Sequence, residues 1–431
     1  MSLHFDSGRR PGRVSLGEMF DRLYGPDAPL RLTAYDGSVA GPADAPVGLR
    51  LVRPRGTAYL ASSPGSLGLV RAYVQGDIEL DGTHPGDPYE AVRAFRALAA
   101  RRPPPLEALR WLRSLGPSNL IRPPLPPQEV RPVRPGRKHG RRRDATVISH
   151  HYDVSNRFYE MVLGPSMTYT CACYSTSTAT LEEAQEHKYD LVARKLGLKP
   201  GMRLLDVGCG WGGMVRHAAR EHGARVLGVT LSAEQAQWAS DRIVADGLEN
   251  LAEVRHLDYR DVTETDFDAI SAIGLIEHIG IENYASYFEF LRSRLRPGGR
   301  LLNHGITRSD NLHPGIPKRG FIGRYVFPDG GITGSGAMVT AMEDAGLEVQ
   351  HQENLRVHYA RTLQGWCDNL VANWDECVAE TSLPTAKVWG LYMAGSRFSF
   401  ERNDIQLHQV LATRTAPDGN ADYPLRHDFG T

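Results

Sequence analysis

Lysine is the scarce charge in this chain: of 50 basic residues only six are lysine, against 50 Asp and Glu, and the formal net charge is zero. That balance excludes a protein that grips nucleic acid through overall basicity and leaves only local patches. Arginine in such excess, with abundant alanine, glycine and proline, points to a GC-rich genome and not to a chemistry. Cysteine is sparse as well. Five in 431 residues do not make a disulfide framework, so reduced thiols are expected. No apolar run approaches the ~18 residues of a membrane span. The opening MSLHFDSGRRPGRVSL has arginines with no apolar stretch behind them, so no signal peptide is expected and the cytoplasm is the default. What is present, 41% hydrophobic and 23% charged residues, is a globular composition long enough for two domains at roughly 150 residues each.

Residues 1–100 read as a small α+β domain. RLTAYDG and APVGLRLVRP resemble short strands, and GLVRAYVQGDIELDG a helix running into a loop. Between Arg101 and Gly136 lie ten of the 28 prolines, interrupted by a helical LEALRWLRSL. Residues 101–144 are therefore a linker that continues neither helix nor sheet. Its end, Arg131 to Arg143, carries seven basic residues and no acid, which suits either a solvated link or attraction to anionic lipid or phosphate. From 145 to 431 strands and helices alternate: MRLLDVG, ARVLGVT, AEVRHLD, DAISAIGLI and RLLNHGI as strands, with QLHQVLATR as a late edge strand. Alternation of this kind implies a parallel sheet covered on both faces. Ser232 with Gln235 suggests a capping box opening the helix SAEQAQWASDRIVADG.

The sharpest feature is LLDVGCGWGG, residues 204–213. An apolar strand ends in Asp206 and enters a turn with glycine at 208, 210, 212 and 213, followed at once by a helix. Glycines let the backbone lie flush on a ligand, and a helix N-terminus offers unpaired N–H groups. A dinucleotide fingerprint requires G-x-G-x-x-G and an acid closing the next strand. Here the spacing is G-x-G-x-G-G and the next strand closes on Thr230. An acid ahead of the first glycine is instead the pattern of S-adenosylmethionine-dependent methyltransferases; a plain tight βα turn would not need four glycines.

Together, LLDVGCGWGG, GVTLSAEQ, LDYRD, GLIEHIG and the upstream HYDVSNRFYEMVLGPSMTYTCACY resemble the cyclopropane-fatty-acyl-phospholipid synthase family, over about residues 146–415. The resemblance implies a class I methyltransferase, a Rossmann-like, mostly parallel seven-stranded sheet, with a smaller N-terminal α+β domain that is lipid-associated. It implies that S-adenosylmethionine is held by Gly208 and Gly210 above Asp206, by Tyr169 and Thr170, by Thr230 and Gln235 at the ribose, and by Asp258 and Tyr259 at the adenine. It further implies a bicarbonate ion held by Glu277, His304, Tyr359 and the backbone N–H groups of Cys171 and Ile306. Cys173 departs from the family pattern.

The implied reaction moves a one-carbon unit to the cis double bond of an unsaturated phospholipid acyl chain. The resulting carbocation loses a proton to bicarbonate, leaving a methylene-branched chain or a cyclopropane ring. A buried anion serves there as general base while dry walls exclude water. Aromatic faces at Tyr152, Tyr174 or Phe321 are candidates to stabilise the cation, and Leu275 and Ile276 are candidates to line the acyl tunnel and steer the product. A metal held by Cys171, Cys173, Glu277 and His304 is the rival reading of the polar set, but one C-x-C is a weak zinc signal and no metal is expected. The implied partners are an anionic membrane at its inner face, bound peripherally, a second copy in a homodimer, and a reductase for a methylene product; no nucleic acid is expected. An RNA methyltransferase and a non-catalytic lipid-binding protein are the alternatives from other classes.

Overall fold

The computed structural model describes residues 13–116, 119, 121–130, 154–313, 315–317, 320–328 and 330–429. The basic run Arg131, Arg134, Arg137, Lys138 and Arg141 to Arg143, and Tyr152, lie outside them. The described residues fall into two compact units, one drawn from Met1–Val130, Arg319–Tyr325 and Ser382–Gly395, the other from Arg131–Lys318, Val326–Thr381 and Ser396–Thr431.

In the first unit, strands β1 (Arg31–Ala34), β2 (Val39–Ala40), β3 (Gly48–Leu51) and β4 (Ile78–Asp81) form a sheet ordered β2-β1-β3-β4. Alternation turns Leu32 and Ala34, and Leu49 and Leu51, onto one buried face, where Leu30, Val47 and Ile78 complete the core. IELD, read from sequence as loop, is β4: its backbone pairs antiparallel with β3, Leu51 opposite Ile78. The Ser66–Val74 helix carries Arg71, whose guanidinium holds Glu129 in two bonds of 2.7 Å with both side chains almost fully buried. Phe321, an expected tunnel residue, belongs to this unit.

The second unit is built on β5 (Arg203–Val207), β6 (Arg225–Thr230), β7 (Ala252–His256), β8 (Phe267–Ile273), β9 (Leu295–Arg308), β10 (Glu348–Asn354) and β11 (Ile405–Thr413). Their order is β10-β11-β9-β8-β5-β6-β7, parallel from β9 to β7, with β11 antiparallel to both of its neighbours. Near-continuous apolar strands are what a sheet covered on both faces requires. Leu204, Val226, Ala269, Leu302 and Leu411 pack to one face with the helices Leu181–Leu196, Gly213–His222 and Ala233–Ala245. Leu205, Leu227, Ile270, Leu301 and Val410 pack to the other, with Tyr284–Arg294 and Ser335–Asp344.

Two strand assignments change. QLHQVLATR is not an edge: β11 lies between β10 and β9, and its last seven residues are all buried. The edge is EVQHQEN (β10), a half-exposed polar strand without the apolar signature. The capping box at Ser232 is only half made. Ser232 Oγ accepts from the Gln235 N–H at 3.3 Å, but the Gln235 side chain turns to Thr230, and the Ser232 N–H donates to Thr230 Oγ1.

Replacing Glu129 by Ala should leave the Arg71 guanidinium buried without its carboxylate and cost about 3–5 kcal/mol. Urea unfolding of the single variant, set beside Arg71→Met/Glu129→Leu, checks this: the double variant, with no orphaned charge, should recover most of the loss.

Candidate active site

On the face covered by the Leu181–Leu196 helix, the apolar rows stop short of one end of the sheet. Two residues beyond Leu204, Ala269 and Leu302 come Asp206, Ser271 and His304, and Gln409 of β11 stands directly opposite His304. All four are buried. Buried polar groups must find partners, and these find them largely in one another and in the helix above. Ser271 Oγ donates to Asp206 Oδ1 at 2.6 Å, and burial pushes the Asp206 carboxyl up to about 6.

Past Asp206 the chain makes the glycine turn. Gly208 and Gly210 have φ of +75° and +54°, values that favour glycine. The N–H groups of Gly208 and Cys209 both donate to Val229 O on β6. Open space lies where a Cβ at Gly210 would point, and a Cβ at Gly208 would stand 3.2 Å from Leu275 Cδ1. The loop and the turn that follows β8 therefore adjoin. That turn is tight: Gly274 has φ +73°, and a Cβ there would come within 2.7 Å of Thr170 Cγ2.

Glu277 sits in a four-residue helical turn, Ile276–Ile279, and does not follow directly on a strand. Its Oε1 accepts the Ile306 N–H at 2.6 Å, while Oε2 is buried with no partner. Burial pushes its carboxyl up to about 7, against the pull of the Ile306 N–H. The Ile306 N–H expected to face an anion is thus already engaged by Glu277.

His304 is not at a strand end either. It stands opposite Ile273, the last residue of β8, but β9 runs on to Arg308 because β11 continues the ladder. A relay fixes its tautomer. Lys195 Nζ donates to Gln409 Oε1 at 2.6 Å and also to Glu353 Oε2. The Gln409 amide NH2 therefore faces His304 Nδ1, at 3.2 Å. An acceptor at Nδ1 leaves the neutral ring's proton on Nε2, which is buried and has no partner. Burial, with Lys188 and Lys195 nearby, holds His304 neutral.

Lys188 was not anticipated from the sequence. Fully buried, its Nζ donates to Thr170 Oγ1 at 2.9 Å and Gln185 Oε1 at 3.0 Å. Burial pulls its pKa down to about 7, opposed by Cys173, Cys171 and Asp206. Gln185 also donates to Thr170 O at 3.0 Å. Cys171 and Cys173 are buried thiols that burial keeps protonated, Cys173 pushed up to about 12. Cys173 Sγ lies 4.0 Å from Gln409 Nε2.

The structure therefore gathers Thr170, Cys171, Asp206, Gly208, Glu277, His304 and Ile306. Tyr169, half-buried, and Tyr359 sit on a wall of otherwise buried rings, Trp211–Tyr159–Tyr169–Trp366–Tyr359–Phe400, with successive centroids 4.5–6.1 Å apart. Thr230 and Gln235 close β6 as a pair, hydroxyl to amide oxygen at 2.9 Å. Asp258 caps the Arg260 N–H and holds its guanidinium, while the Tyr259 ring packs edge-on against Tyr287 and Phe290. Two lining candidates change. Ile276 points into the core, where a Cβ at Gly305 would meet its Cγ2 at 2.3 Å, and the Tyr174 face is taken by Arg361 at 4.1 Å.

A mostly parallel seven-stranded sheet, with a glycine turn closing β5 over a buried acid, defines the class: an S-adenosylmethionine-dependent methyltransferase. The model of the family described as mycolic acid cyclopropane synthetase matches residues 139–410, and the chain belongs to that family. It is 56% identical over 421 residues to a probable fatty acid methyltransferase of Mycobacterium tuberculosis, covering 96% of this chain and 98% of that protein. It is 34% identical over 276 residues to the cyclopropane-fatty-acyl-phospholipid synthase of Escherichia coli K12, 63% of this chain and 69% of the other. A solved mycolic acid cyclopropane synthase, complexed with SAH and CTAB, aligns with TM-score 0.59 and 32% identity over 62% of this chain and 97% of its own.

Glu277 yields a prediction about pH. Its folded pKa, about 7, lies above the ordinary 4.5, so the folded state binds its proton more tightly than the unfolded chain. The stabilisation is complete below pH 4.5 and is lost as pH rises through 7. Glu277→Gln keeps an acceptor for Ile306 and cannot ionise. Urea unfolding should find it as stable as wild type at pH 4.5 and more stable at pH 8, by up to about 3 kcal/mol. Equal stability at both pH values would remove the buried, unpaired carboxylate from the account.

Proposed function

We propose that the protein transfers a one-carbon unit from S-adenosylmethionine to the cis double bond of an unsaturated phospholipid acyl chain, giving a methylene-branched chain or, alternatively, a cyclopropane. One observation carries this reading: the turn that ends in Glu277 touches both the glycine loop, through Leu275 and Gly208, and the Thr170 segment, through Gly274. A cofactor on the loop would then have its reactive end beside a carboxylate and an imidazole that each bury an unpartnered polar atom.

Those two atoms, Glu277 Oε2 as acceptor and His304 Nε2–H as donor, suit a small oxyanion that keeps one proton. Bicarbonate bound there would supply a weak base for the proton leaving the methylated chain. Glu277 and His304 would hold it, with Tyr359 and the Cys171 N–H, and Ile306 would act through Glu277. The ring wall from Tyr159 to Phe400 would exclude water from the acyl chain and offer aromatic faces to a cation on it. A methylene product would pass to a separate reductase.

No described helix is long and apolar enough to cross a membrane, so access to an acyl chain would rest on peripheral binding. The N-terminal domain, residues 1–100, and the stretch 101–144, expected as a linker but joined to the first unit as far as Val130, are the parts we assign to it. Neutralising Arg131, Arg134, Arg137, Lys138 and Arg141 to Arg143 should weaken vesicle binding by about 1 kcal/mol per residue near an anionic leaflet. Sedimentation with anionic vesicles at rising ionic strength reads this, and binding that is unchanged at every salt concentration would remove the run from the membrane contact.

Mass spectrometry of lipids from cells expressing the protein with labelled methionine tests the reaction, separating ring, methylene branch and no change. Glu277→Gln should abolish label transfer while S-adenosylmethionine binding, read by calorimetry, stays within about threefold of wild type. Label in RNA and not in lipid, or parallel loss of cofactor binding and rate, would sink the assignment.

A further inference from the structure

Away from this site, the Leu181–Leu196 and Gly213–His222 helices bring together a second polar group. Asp190 projects from the first, and His217 and His222 from the second. One ligand-type atom from each lies within 4.8 Å of the other two. His217 is 4% exposed, and the Nε2 atoms of both imidazoles are buried without a hydrogen-bond partner. Asp190 Oδ1 faces His222 Nε2 at 3.3 Å, and its other oxygen, Oδ2, pairs with Arg194 at 3.1 Å. The group opens onto a cavity of about 750 Å³ whose wall includes Glu183, Glu186, His187 and Glu221. None of the proposed catalytic residues lines it.

We propose that Asp190, His217 and His222 bind one zinc-like divalent cation that clasps these two helices together. Two imidazoles and a carboxylate suit a borderline transition metal and not calcium or magnesium, which take mainly oxygen ligands. Zinc ligands stand about 2.0–2.1 Å from the ion, which in a tetrahedron puts neighbouring donors about 3.4 Å apart. Asp190 and His222 already stand at about that spacing, 3.3 Å, and binding would draw His217 in from within 4.8 Å. Three protein donors leave the remaining position to water from the cavity, and the surrounding carboxylates raise the local cation concentration. Arg194 occupies only Oδ2, so the oxygen facing His222 stays available.

The placement gives the cation a structural consequence. The Gly213–His222 helix begins where the glycine loop ends, and the Leu181–Leu196 helix carries Lys188 and Gln185 to Thr170. The two helices already touch closely: a Cβ at Gly213 would overlap the Tyr189 hydroxyl at 2.1 Å. A clasp beside that contact, from Asp190 and His217 in mid-helix and His222 at a helix end, would hold the loop in register with the Thr170 segment.

Zinc chloride titrated calorimetrically into the chelator-treated full chain is the test, with thermal unfolding in parallel. We expect one equivalent bound with Kd at or below the micromolar range and a rise in Tm of several degrees. Asp190→Asn and His222→Gln, both at partly exposed positions that should tolerate the change, should each weaken binding at least tenfold and abolish the Tm rise. His217→Gln should do the same if it folds. No saturable heat up to 1 mM zinc, or a site that survives both Asp190→Asn and His222→Gln unchanged, overturns the proposal.

Discussion

The buried ammonium of Lys188 organises the end of the sheet that carries Asp206 and His304. Lys188 Nζ has left water entirely, and a lone charge so placed costs several kcal/mol unless polar groups surround it. Thr170 and Gln185 bond it directly, and Asp206, Cys171 and Cys173 lie within its field. Meeting that requirement ties three successive segments: the 168–173 stretch, the Leu181–Leu196 helix and the end of β5. Thr170 is the hinge of the arrangement, because its hydroxyl takes the lysine while its methyl covers Gly274, and only glycine at 274 leaves room for it. The turn carrying Glu277 is placed by the same contact.

The division of the sheet's two faces follows from this. On one face the apolar rows give way to Asp206, Ser271, His304 and Gln409, and on the other β6, β5 and β8 stay apolar through Val229, Val207 and Ala272, with the buried amide of Asn303 in the β9 row. Strand periodicity makes the switch sharp, since a shift of one residue would exchange the two sets. The antiparallel β11 matters here beyond extending the sheet. Its register sets Gln409 against His304, and through Gln409 the imidazole is tied to Lys195 and Glu353. A His in that position without the amide would have no fixed tautomer.

The sequence discloses those parts of this design whose signal is local. The glycine turn after β5, its Asp206, the parallel alternation and the polar residues Glu277 and His304 are all legible, because each follows an apolar run or a turn pattern. Lys188 and Gln409 are not. EHKYDLVARKL reads as a solvated helical face, and lysine is so rarely buried that nothing in the string marks Lys188 or Lys195 as interior. Gln409 is hidden for a different reason: it becomes a partner of His304 only through a pairing 105 residues long. β10 escapes because EVQHQEN is an edge strand with little to bury, and the segments 319–325 and 382–395 that join the first unit carry no sign of it in composition.

Burial moves the titratable groups of the site in one direction. It raises Asp206 to about 6 and Glu277 to about 7, lowers Lys188 to about 7 and holds His304 neutral. Each shift favours the uncharged form, so near neutral pH Glu277 and Lys188 stand close to half-ionised, while Asp206 keeps most of its charge beside the lysine. The same bias toward the uncharged form makes the unpartnered Oε2 of Glu277 and Nε2 of His304 tolerable, since an unsatisfied charge at either place would be far more costly than an unsatisfied dipole. A cationic ligand beside Glu277 would draw its carboxyl back toward the ionised form, because an opposite charge nearby favours the charged state.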